Sequence, residues 1–415
     1  MLLSSGYMTI SLATVQPDRR ANAAPLRPSD LPRQLVDALY VHIPFCFHKC
    51  HYCDFYSITR QGPDRMARFT DLILREAEMW TRSDAPPLRP RTIFFGGGTP
   101  TLLPIDEMRR LIAGLRERID FSDVDEFTSE ANPATVSLEY CRMLRESGVD
   151  RMSFGAQSFD RAELATLERH HNPDDVPVSV ELARKAGFER LNIDLIYAIP
   201  GQDLASWSRT LETALQLNLK HLSCYGLTFE ANTPIAVKKR LGTMIPAKDE
   251  VELEMLWHAR NRLTEVSLPP YEISNYAAPG EECRHNLHYW TGGSYVGLGP
   301  SAASHVHGTR FKNRPHLGEW ERAIELNELP ATDVEVLSPV QRAGELAMLT
   351  LRLTRGLKFD DFAGRTGHDA RTLFVEQISQ LSRQKLLHLD EHHISLSESG
   401  INVADAVAAE FVQLA

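Results

Sequence analysis

Short apolar runs alternate with stretches of helical periodicity through the first half of the chain. An apolar run at Tyr40, Val41 and Ile43 has the length of one strand, and a second run begins at Thr92. Four more strands are predicted, at 126–130, 151–154, 190–196 and 221–227. The predicted helices lie at 64–80, 105–118, 137–147, 161–168, 174–186 and 205–217. Because strands that alternate with helices pair in parallel, the pattern predicts an α/β sheet with right-handed crossovers.

Polar residues at the ends of these apolar runs favour one of two α/β architectures. They follow successive strands: His42, 96–99, Glu130, Gln157, Asp194 and Tyr225. In a barrel, the carboxyl ends of all parallel strands face one mouth, where side chains of this kind can meet. We therefore predict a partial TIM-type (β/α)6 barrel, and the alternative is a doubly wound sheet.

The alternation stops after Thr233, and this divides the chain. We expect a disordered leader over 1–33, with an organelle transit peptide as a minority alternative, and the partial barrel over 34–275. A connecting region rich in histidine, aromatic residues and glycine follows over 276–337. Helices, a short two-stranded unit and a last helix over 338–415 predict a mainly helical, winged-helix-like C-terminal domain.

Composition and charge indicate a soluble globular enzyme. The 415 residues are 43% hydrophobic and 24% charged, and no apolar run approaches the ~18 residues of a membrane span. A formal net charge of -10 argues against nucleic-acid binding. Six cysteines are too sparse for a disulfide scaffold, so we expect a reducing, cytoplasmic location. The oligomeric state stays open, and a homodimer is one alternative.

Three of the six cysteines are crowded into the loop that follows the first predicted strand. Cys46, Cys50 and Cys53 have C-x3-C-x2-C spacing. An iron-sulfur cluster normally takes four thiolates, so a cluster on three keeps one iron free for another ligand. The alternative is a zinc-binding module in which His48 or His51 completes a Cys3His tetrahedron, but the chain has no second pair of closely spaced cysteines.

This loop and the glycine run at Gly96–Pro100 resemble the radical S-adenosylmethionine (SAM) superfamily. The shared features are the cysteine spacing, the aromatic Tyr52 before the last cysteine, and the sequence Gly-Gly-Gly-Thr-Pro. The resemblance implies a [4Fe-4S] cluster on Cys46, Cys50 and Cys53 whose free iron chelates SAM. It further implies SAM-binding positions at Tyr40, Tyr52, Gly97, Gly98, Thr99, Glu130, Gln157, Arg169 and Asp194.

Within the superfamily the chain resembles the branch that contains oxygen-independent coproporphyrinogen III oxidase (HemN) and the haem chaperone HemW. The oxidase has Gly-Cys after the third cysteine, whereas Asp54 and Phe55 stand here, as in HemW. A second feature is the H-N-x-x-Y-W motif, which is associated with haem binding in HemW proteins: His285, Asn286, Tyr289 and Trp290. A structural cluster of hydrogen-bonded aromatic residues is the alternative for this motif. Weaker candidates for haem contact are Cys283, His305 and His307.

The resemblance thus implies a haem chaperone that binds [4Fe-4S], SAM and haem, carries the haem as cargo and delivers it to a client haemoprotein. The client is not identified by the sequence. The alternative function is that of a coproporphyrinogen dehydrogenase-type oxidoreductase, which converts two propionates of coproporphyrinogen III to vinyl groups by oxidative decarboxylation. A zinc-containing binding module is the third alternative.

Overall fold

The computed structural model describes residues 26–81 and 87–412 of the chain. Part of the segment predicted as a disordered leader has regular structure, because 3-10 turns form at Pro28–Asp30 and Arg33–Leu35. Leu31 and Arg33 are buried there, so this segment already packs against the fold. The rest of the predicted leader, 1–25, lies outside the described residues.

Six parallel strands form the centre of the molecule, as predicted. They are β1 Val36–Ile43, β2 Thr92–Gly97, β3 Glu126–Ala131, β4 Arg151–Gln157, β5 Arg190–Tyr197 and β6 His221–Gly226, and they pair in that order. The helices along them are α1 Pro63–Thr81, α2 Ile105–Arg116, α3 Leu138–Glu146, α4 Arg161–Thr166, α5 Asp175–Lys185 and α6 Leu204–Leu215. This confirms the α/β fold class and the sequential parallel sheet.

Local sequence sets the helix starts, and the apolar stripes set the packing. The side chains of Ser137, Asp160 and Asp203 cap α3, α4 and α6 by accepting hydrogen bonds from backbone N–H groups in the first turn. On α1, Phe69 and Trp80 belong to the buried face and join the main hydrophobic core. The strands are therefore covered by helices whose apolar faces were visible in the sequence.

Strands from the residues predicted as a connecting region, 276–337, extend the same sheet. The later elements are α7 Pro234–Arg240, α8 Asp249–Glu265, β7 Asn275–Ala277, α9 Arg284–Trp290, β8 Ser294–Leu298, β9 Ala303–Val306, β10 Thr309–Asn313, α10 Leu317–Glu325 and β11 Ala331–Val336. Strand β8 lies parallel to β1, β9 to β11 continue antiparallel beyond it, and β7 pairs with β6 at the other edge. The result is an eleven-stranded sheet of order β11-β10-β9-β8-β1-β2-β3-β4-β5-β6-β7.

The C-terminal residues form a small domain with its own core. Its elements are α11 Pro339–Thr350, β12 Leu357–Lys358, α12 Phe359–Thr366, α13 Ala370–Leu373, α14 Val375–Arg383, β13 Leu387–Leu389, β14 His393–Leu396, α15 Glu398–Ile401 and α16 Ala404–Ala409. Its strands form a three-stranded sheet of order β12-β14-β13, one strand more than predicted. Phe374 contacts Phe362 and Phe411 edge-on in the core, which confirms a mainly helical domain with a short sheet.

Hydrogen bonds attach this domain to the rest of the molecule. Arg365 donates hydrogen bonds to the carbonyl oxygens of Thr291 and Gly292, just after α9. Trp257 on α8 donates from Nε1 to Asn402 Oδ1 over 2.7 Å.

In the part of the chain that the structure describes, no helix is both long and apolar enough to cross a bilayer.

Candidate functional site

The cysteine loop is held against the carboxyl end of β1 by backbone hydrogen bonds. The N–H of Cys46 donates to Ile58 O over 2.9 Å, and the N–H of Ile58 donates to Pro44 O over 2.8 Å. All three cysteines are unpaired, and Cys50 is buried. A short, closed loop therefore keeps the three thiols at one end of the sheet.

Arg169 is the cation of this site, although it follows α4 and is distant in sequence. Its Nη1 lies 3.5 Å from Cys50 Sγ, and its Nη2 donates to Gly155 O over 2.5 Å. Its Nε is buried and has no hydrogen-bond partner. A buried guanidinium with an unused donor beside a thiol fits a negatively charged group, such as a thiolate-ligated cluster or a carboxylate ligand.

Burial favours the protonated thiols of Cys46 and Cys53 as long as no metal is bound. It raises the pKa of Cys53 to about 11 and also raises that of Cys46, and in both cases the neighbouring cysteines add to the increase. The Thr99 hydroxyl lies 3.9 Å from Cys46 Sγ. Only the thiolate form binds metal, so the site would load a cluster with release of protons.

The glycine run packs the end of β2 against β1 and the cysteine loop. Gly97 has φ +97°, and a Cβ there would lie 2.4 Å from the His42 ring. A Cβ on Gly98 would lie 2.6 Å from Ile43 O, to which the Gly98 N–H donates over 2.9 Å. The N–H of Thr99 donates to Phe45 O over 2.7 Å. The main physical role of these glycines in the described structure is therefore close packing between backbones.

Two half-buried carboxylates lie on the same face of the sheet. Glu130 accepts from the Gly97 N–H over 3.2 Å, and Asp194 accepts from Ser153 Oγ over 3.2 Å and from Asn192 Nδ2 over 2.9 Å. Burial raises the pKa of both, that of Glu130 to about 8 with an added effect of the Asp194 charge. A cationic ligand would lower both pKa values, so the pair fits an ammonium or sulfonium group.

His42, which was not predicted as a site residue, organises the end of β1. Its Nε2 lies 2.8 Å from Tyr56 O, which can only accept, so Nε2 carries the proton. The Tyr40 hydroxyl therefore donates to Nδ1 over 3.2 Å. Burial lowers the pKa of His42 to about 4, and the ring stays neutral at neutral pH. The Tyr-x-His spacing on one strand face was the available signal.

The other predicted SAM residues converge on the same end of the sheet. Tyr52 lies in the cysteine loop near Arg169, whose charge opposes the rise that burial causes in the pKa of Tyr52. Gln157 is buried at the end of β4 with φ +65°. A Cβ on Gly155 would lie 2.7 Å from Gln157 Nε2 and 2.9 Å from Arg169 Nη2, so only glycine leaves room for both side chains. Their role as SAM ligands stays a prediction.

The H-N-x-x-Y-W motif lies at the opposite end of the sheet. His285 is buried on α9, with Nδ1 2.8 Å from Thr92 Oγ1 and Nε2 2.8 Å from the Tyr289 hydroxyl. Its backbone N–H donates to Glu126 Oε1 over 3.0 Å. Thr92 and Glu126 begin β2 and β3, whereas the cysteine loop follows the end of β1. Both ring nitrogens of His285 are thus engaged, and the motif is about one strand length from the thiols.

The remaining candidates for haem contact surround this end of the sheet. Cys283 Sγ is buried 3.4 Å from Glu126 Oε1. The Arg352 guanidinium lies 4.7 Å from the centre of the Trp290 ring, and Trp290 Nε1 is buried without a hydrogen-bond partner. Asn286 is half-buried on the same helix. These contacts are compatible with a structural cluster of hydrogen-bonded aromatic residues and also with contact to haem.

A small cleft beside the motif separates the sheet from the C-terminal domain. It is lined by apolar, polar, basic and acidic side chains, most of them from α11 and α12: Gly292, His305, Pro339, Arg342, Glu345, Leu346, Leu349, Arg365 and Thr366. His305 Nε2 accepts a hydrogen bond from the Gly308 N–H over 3.1 Å. His307 lies outside this lining, with Nδ1 3.3 Å from Arg342 Nη2. The cleft combines apolar surface with two arginines.

Comparisons with known proteins agree with this architecture. Residues 40–214 match the family model of the radical SAM superfamily, and 337–403 match that of the HemN C-terminal domain. A solved structure described as coproporphyrinogen III oxidase (HemN) from Escherichia coli superposes with a TM-score of 0.81. It is 21% identical and covers 94% of this chain and 92% of its own, so this likeness supports the fold alone.

The sequence relatives are more specific. Heme chaperone HemW of Lactococcus lactis is 34% identical over 379 residues, which cover 91% of this chain and 98% of the relative. Heme chaperone HemW of Bacillus subtilis is 34% identical over 383 residues, covering 91% and 99%. The chain belongs to the HemW family of radical SAM proteins.

Proposed function

We propose that this protein is a haem chaperone that binds a [4Fe-4S] cluster, SAM and haem, and delivers haem to a client haemoprotein in the cytoplasm. The observation that carries the proposal is the 34% identity to HemW proteins over 98% or more of their length. The replacement of Gly-Cys by Asp54 and Phe55 after Cys53 also favours this function over that of the oxidase.

The cysteine end of the sheet is the proposed site for the cluster and SAM. Cys46, Cys50 and Cys53 would hold the cluster, which supplies an iron without a protein ligand. Arg169 offers a guanidinium to a carboxylate, and the half-buried pair of Glu130 and Asp194 offers negative charge to an ammonium or sulfonium group. Every ionic part of SAM would thus find a group of opposite charge there.

The opposite end of the sheet is the proposed haem site. A porphyrin needs apolar contact for its faces and cations for its propionates. The cleft beside the H-N-x-x-Y-W motif offers Leu346 and Leu349 together with Arg342 and Arg365. Ligation of haem iron by His285 would first require that its two ring hydrogen bonds break, at about 1 kcal/mol each. The distance between the two ends would keep haem away from the cluster, as suits cargo that is carried and not transformed.

The test of function is a paired assay on the anaerobically reconstituted protein with SAM and a reductant. We expect stoichiometric haem binding in a titration and no protoporphyrinogen when coproporphyrinogen III is offered. Formation of protoporphyrinogen over many turnovers would instead establish the oxidase alternative. Apparent haem binding that persists after heat denaturation of the protein would count against a specific site.

The test of the haem site uses Arg342→Ala, with Arg383→Ala as a matched control on the exposed surface of the same domain. We expect the first variant to weaken haem binding about tenfold, since it removes one partner for a propionate, and the second to bind like the wild type. His285→Ala is informative only together with its melting temperature, because loss of this buried ring also destabilises the fold. Equal haem affinity of all three variants and the wild type would show that haem does not bind at this end of the molecule.

A further inference from the structure

A second group of potential ligands lies beside the cysteine loop and contains no thiol. His48 belongs to the loop itself, and Glu168 and His170 belong to the segment that follows α4. One ligand atom from each of the three residues lies within 4.8 Å of the other two. The rings of His48 and His170 meet edge to face, with centroids 4.2 Å apart. Two chain segments about 120 residues apart thus bring two imidazoles and one carboxylate to one point.

An independent observation indicates that this point accommodates a ligand. His48 Nε2 is buried and has no hydrogen-bond partner. A buried polar atom without a partner costs about 1 to 3 kcal/mol, and a metal bond would satisfy it.

The surrounding cations leave the carboxylate of Glu168 available. Arg169 turns its guanidinium away, towards Cys50 Sγ and Gly155 O. Lys238 Nζ donates to His51 Nδ1 over 3.1 Å, and the same His51 atom lies 3.7 Å from Glu168 Oε1. His51 therefore lies next to the three ligands, and its Nδ1 already accepts a hydrogen bond from Lys238.

We propose that His48, Glu168 and His170 form a binding site for one divalent transition-metal cation of the Zn²⁺ type, separate from the three cysteines. Two imidazole nitrogens and one carboxylate oxygen are the donors that such cations take in sites with an open coordination position. Ligand atoms of a tetrahedral zinc site lie about 3.3 Å apart, given bonds of about 2.0 Å. His170 is exposed, so a small rotation of its side chain can close the present spacing.

The bound cation would clamp the cysteine loop to the segment that carries Arg169. His48 lies between Cys46 and Cys50, and Arg169 lies between the other two ligands. The cation would therefore hold the loop and the guanidinium that contacts Cys50 in one arrangement. Cluster retention in the holoprotein should increase with occupancy of this site.

The experiment measures Zn²⁺ binding by equilibrium dialysis of the full-length, cluster-loaded protein under anaerobic conditions, with metal analysis of both compartments. We expect about one Zn²⁺ per chain in addition to the cluster, and an affinity at least tenfold lower in His170→Gln. His392→Gln, a change of an exposed histidine in the C-terminal domain, is the matched control and should bind like the wild type.

A second form of the protein separates this site from the thiols. The triple variant Cys46→Ala, Cys50→Ala, Cys53→Ala cannot hold zinc on cysteine in the loop, yet it should still bind one Zn²⁺ and gain a higher melting temperature from it. The further change His170→Gln should abolish both effects. The proposal is overturned if cluster-loaded wild type binds no Zn²⁺, if His170→Gln binds it unchanged, or if binding disappears with the thiols.

Discussion

Gly97 shows how a single residue fixes the geometry between the cysteine loop and the glycine run. Its φ of +97° lies in the region that disfavours side chains, and its Cβ position is occupied by the His42 ring. His42 is in turn held by Tyr40 and by Tyr56 O. A change at Gly97 therefore displaces the residues that position both β1 and the loop.

We expect Gly97→Ala to destabilise the protein by more than about 2 kcal/mol, because about 1 kcal/mol of backbone strain adds to the displacement of His42. Gly201→Ala is the matched control: φ is +87° there, but no atom lies within 4 Å of the new Cβ. Urea unfolding of Gly201→Ala measures the loss of stability from backbone strain alone. The same measurement on Gly97→Ala gives the loss from strain together with the overlap with His42. Equal stability loss in the two would contradict the role given to the His42 contact.

Individual residues differ in how far the sequence could predict them. The cysteine spacing and the Gly-Gly-Gly-Thr-Pro run are local, so their place after β1 and β2 was visible in the sequence. The environment of His285 was not, because its partners Thr92 and Glu126 are 193 and 159 residues away. Long-range hydrogen bonds of this kind leave no periodic signal. The functional roles of all these residues stay predictions.

At the scale of elements, Glu126 anchors helix α9 to the start of β3. It accepts from the N–H groups of Arg284 and His285, each over 3.0 Å, and from Arg190 Nη2 over 2.7 Å. Burial alone would raise its pKa, but Arg151 and Arg190 outweigh this and lower it. Glu126 is therefore a buried carboxylate whose negative charge compensates the positive charges of Arg151 and Arg190.

Glu126→Gln should cost about 3 to 5 kcal/mol of unfolding free energy, since it leaves the buried charge of Arg151 poorly compensated and weakens the attachment of α9. Glu117→Gln serves as control, because Glu117 is an exposed partner of Arg118 and should change stability by less than about 0.5 kcal/mol. The measurement is chemical denaturation at neutral pH. A loss for Glu126→Gln as small as that of the control would show that α9 is held in another way.

Glu76 joins α1 to the second half of the sheet. Its carboxylate accepts from the Gly299 N–H over 2.7 Å, from Trp320 Nε1 over 3.0 Å and from Asn313 Nδ2 over 2.7 Å. Burial raises its pKa to about 7 despite these donors. In the folded state the group therefore titrates near neutral pH, whereas in the unfolded chain it titrates near 4.5.

This pKa predicts a pH dependence of stability. Between about pH 4.5 and 7 the folded protein keeps a proton on Glu76 that the unfolded chain has lost, so stability falls as the pH rises. The contribution is complete below about pH 4.5 and is lost as the pH passes about 7, and it amounts to roughly 3 kcal/mol. Unfolding curves at several pH values should show this decline in the wild type and a flatter profile in Glu76→Gln. Parallel profiles of the two proteins would contradict the assignment.

The six central strands were predictable because their short apolar runs alternate with stretches of helical periodicity. Strands β7 to β11 were not, because polar residues interrupt each of them, as in Asn275–Ala277 and Thr309–Asn313, and no regular alternation with helices marks them. Their position is set by pairing with β1 and β6, which brings together residues far apart in sequence. Tertiary pairing therefore turned the predicted connecting region into part of the sheet.

On the scale of the whole molecule, two distinct groups of chemical residues occupy opposite ends of one sheet. The cysteine loop, Arg169 and the carboxylate pair of Glu130 and Asp194 lie at one end, and the H-N-x-x-Y-W motif lies at the other, next to the C-terminal domain. The family assignment rests on relatives that align with 91% of this chain. The proposed cluster and haem sites can thus be tested separately.

The iron and sulfide content of anaerobically reconstituted protein tests the proposed cluster site on the cysteine loop most directly. We predict about four iron and four sulfide per chain in the wild type, with the absorbance of a [4Fe-4S] cluster. Cys50→Ala should lose this absorbance, while Cys141→Ala, a change of a buried cysteine on α3, should keep it. A Cys50→Ala variant that retains the full cluster would contradict the central claim.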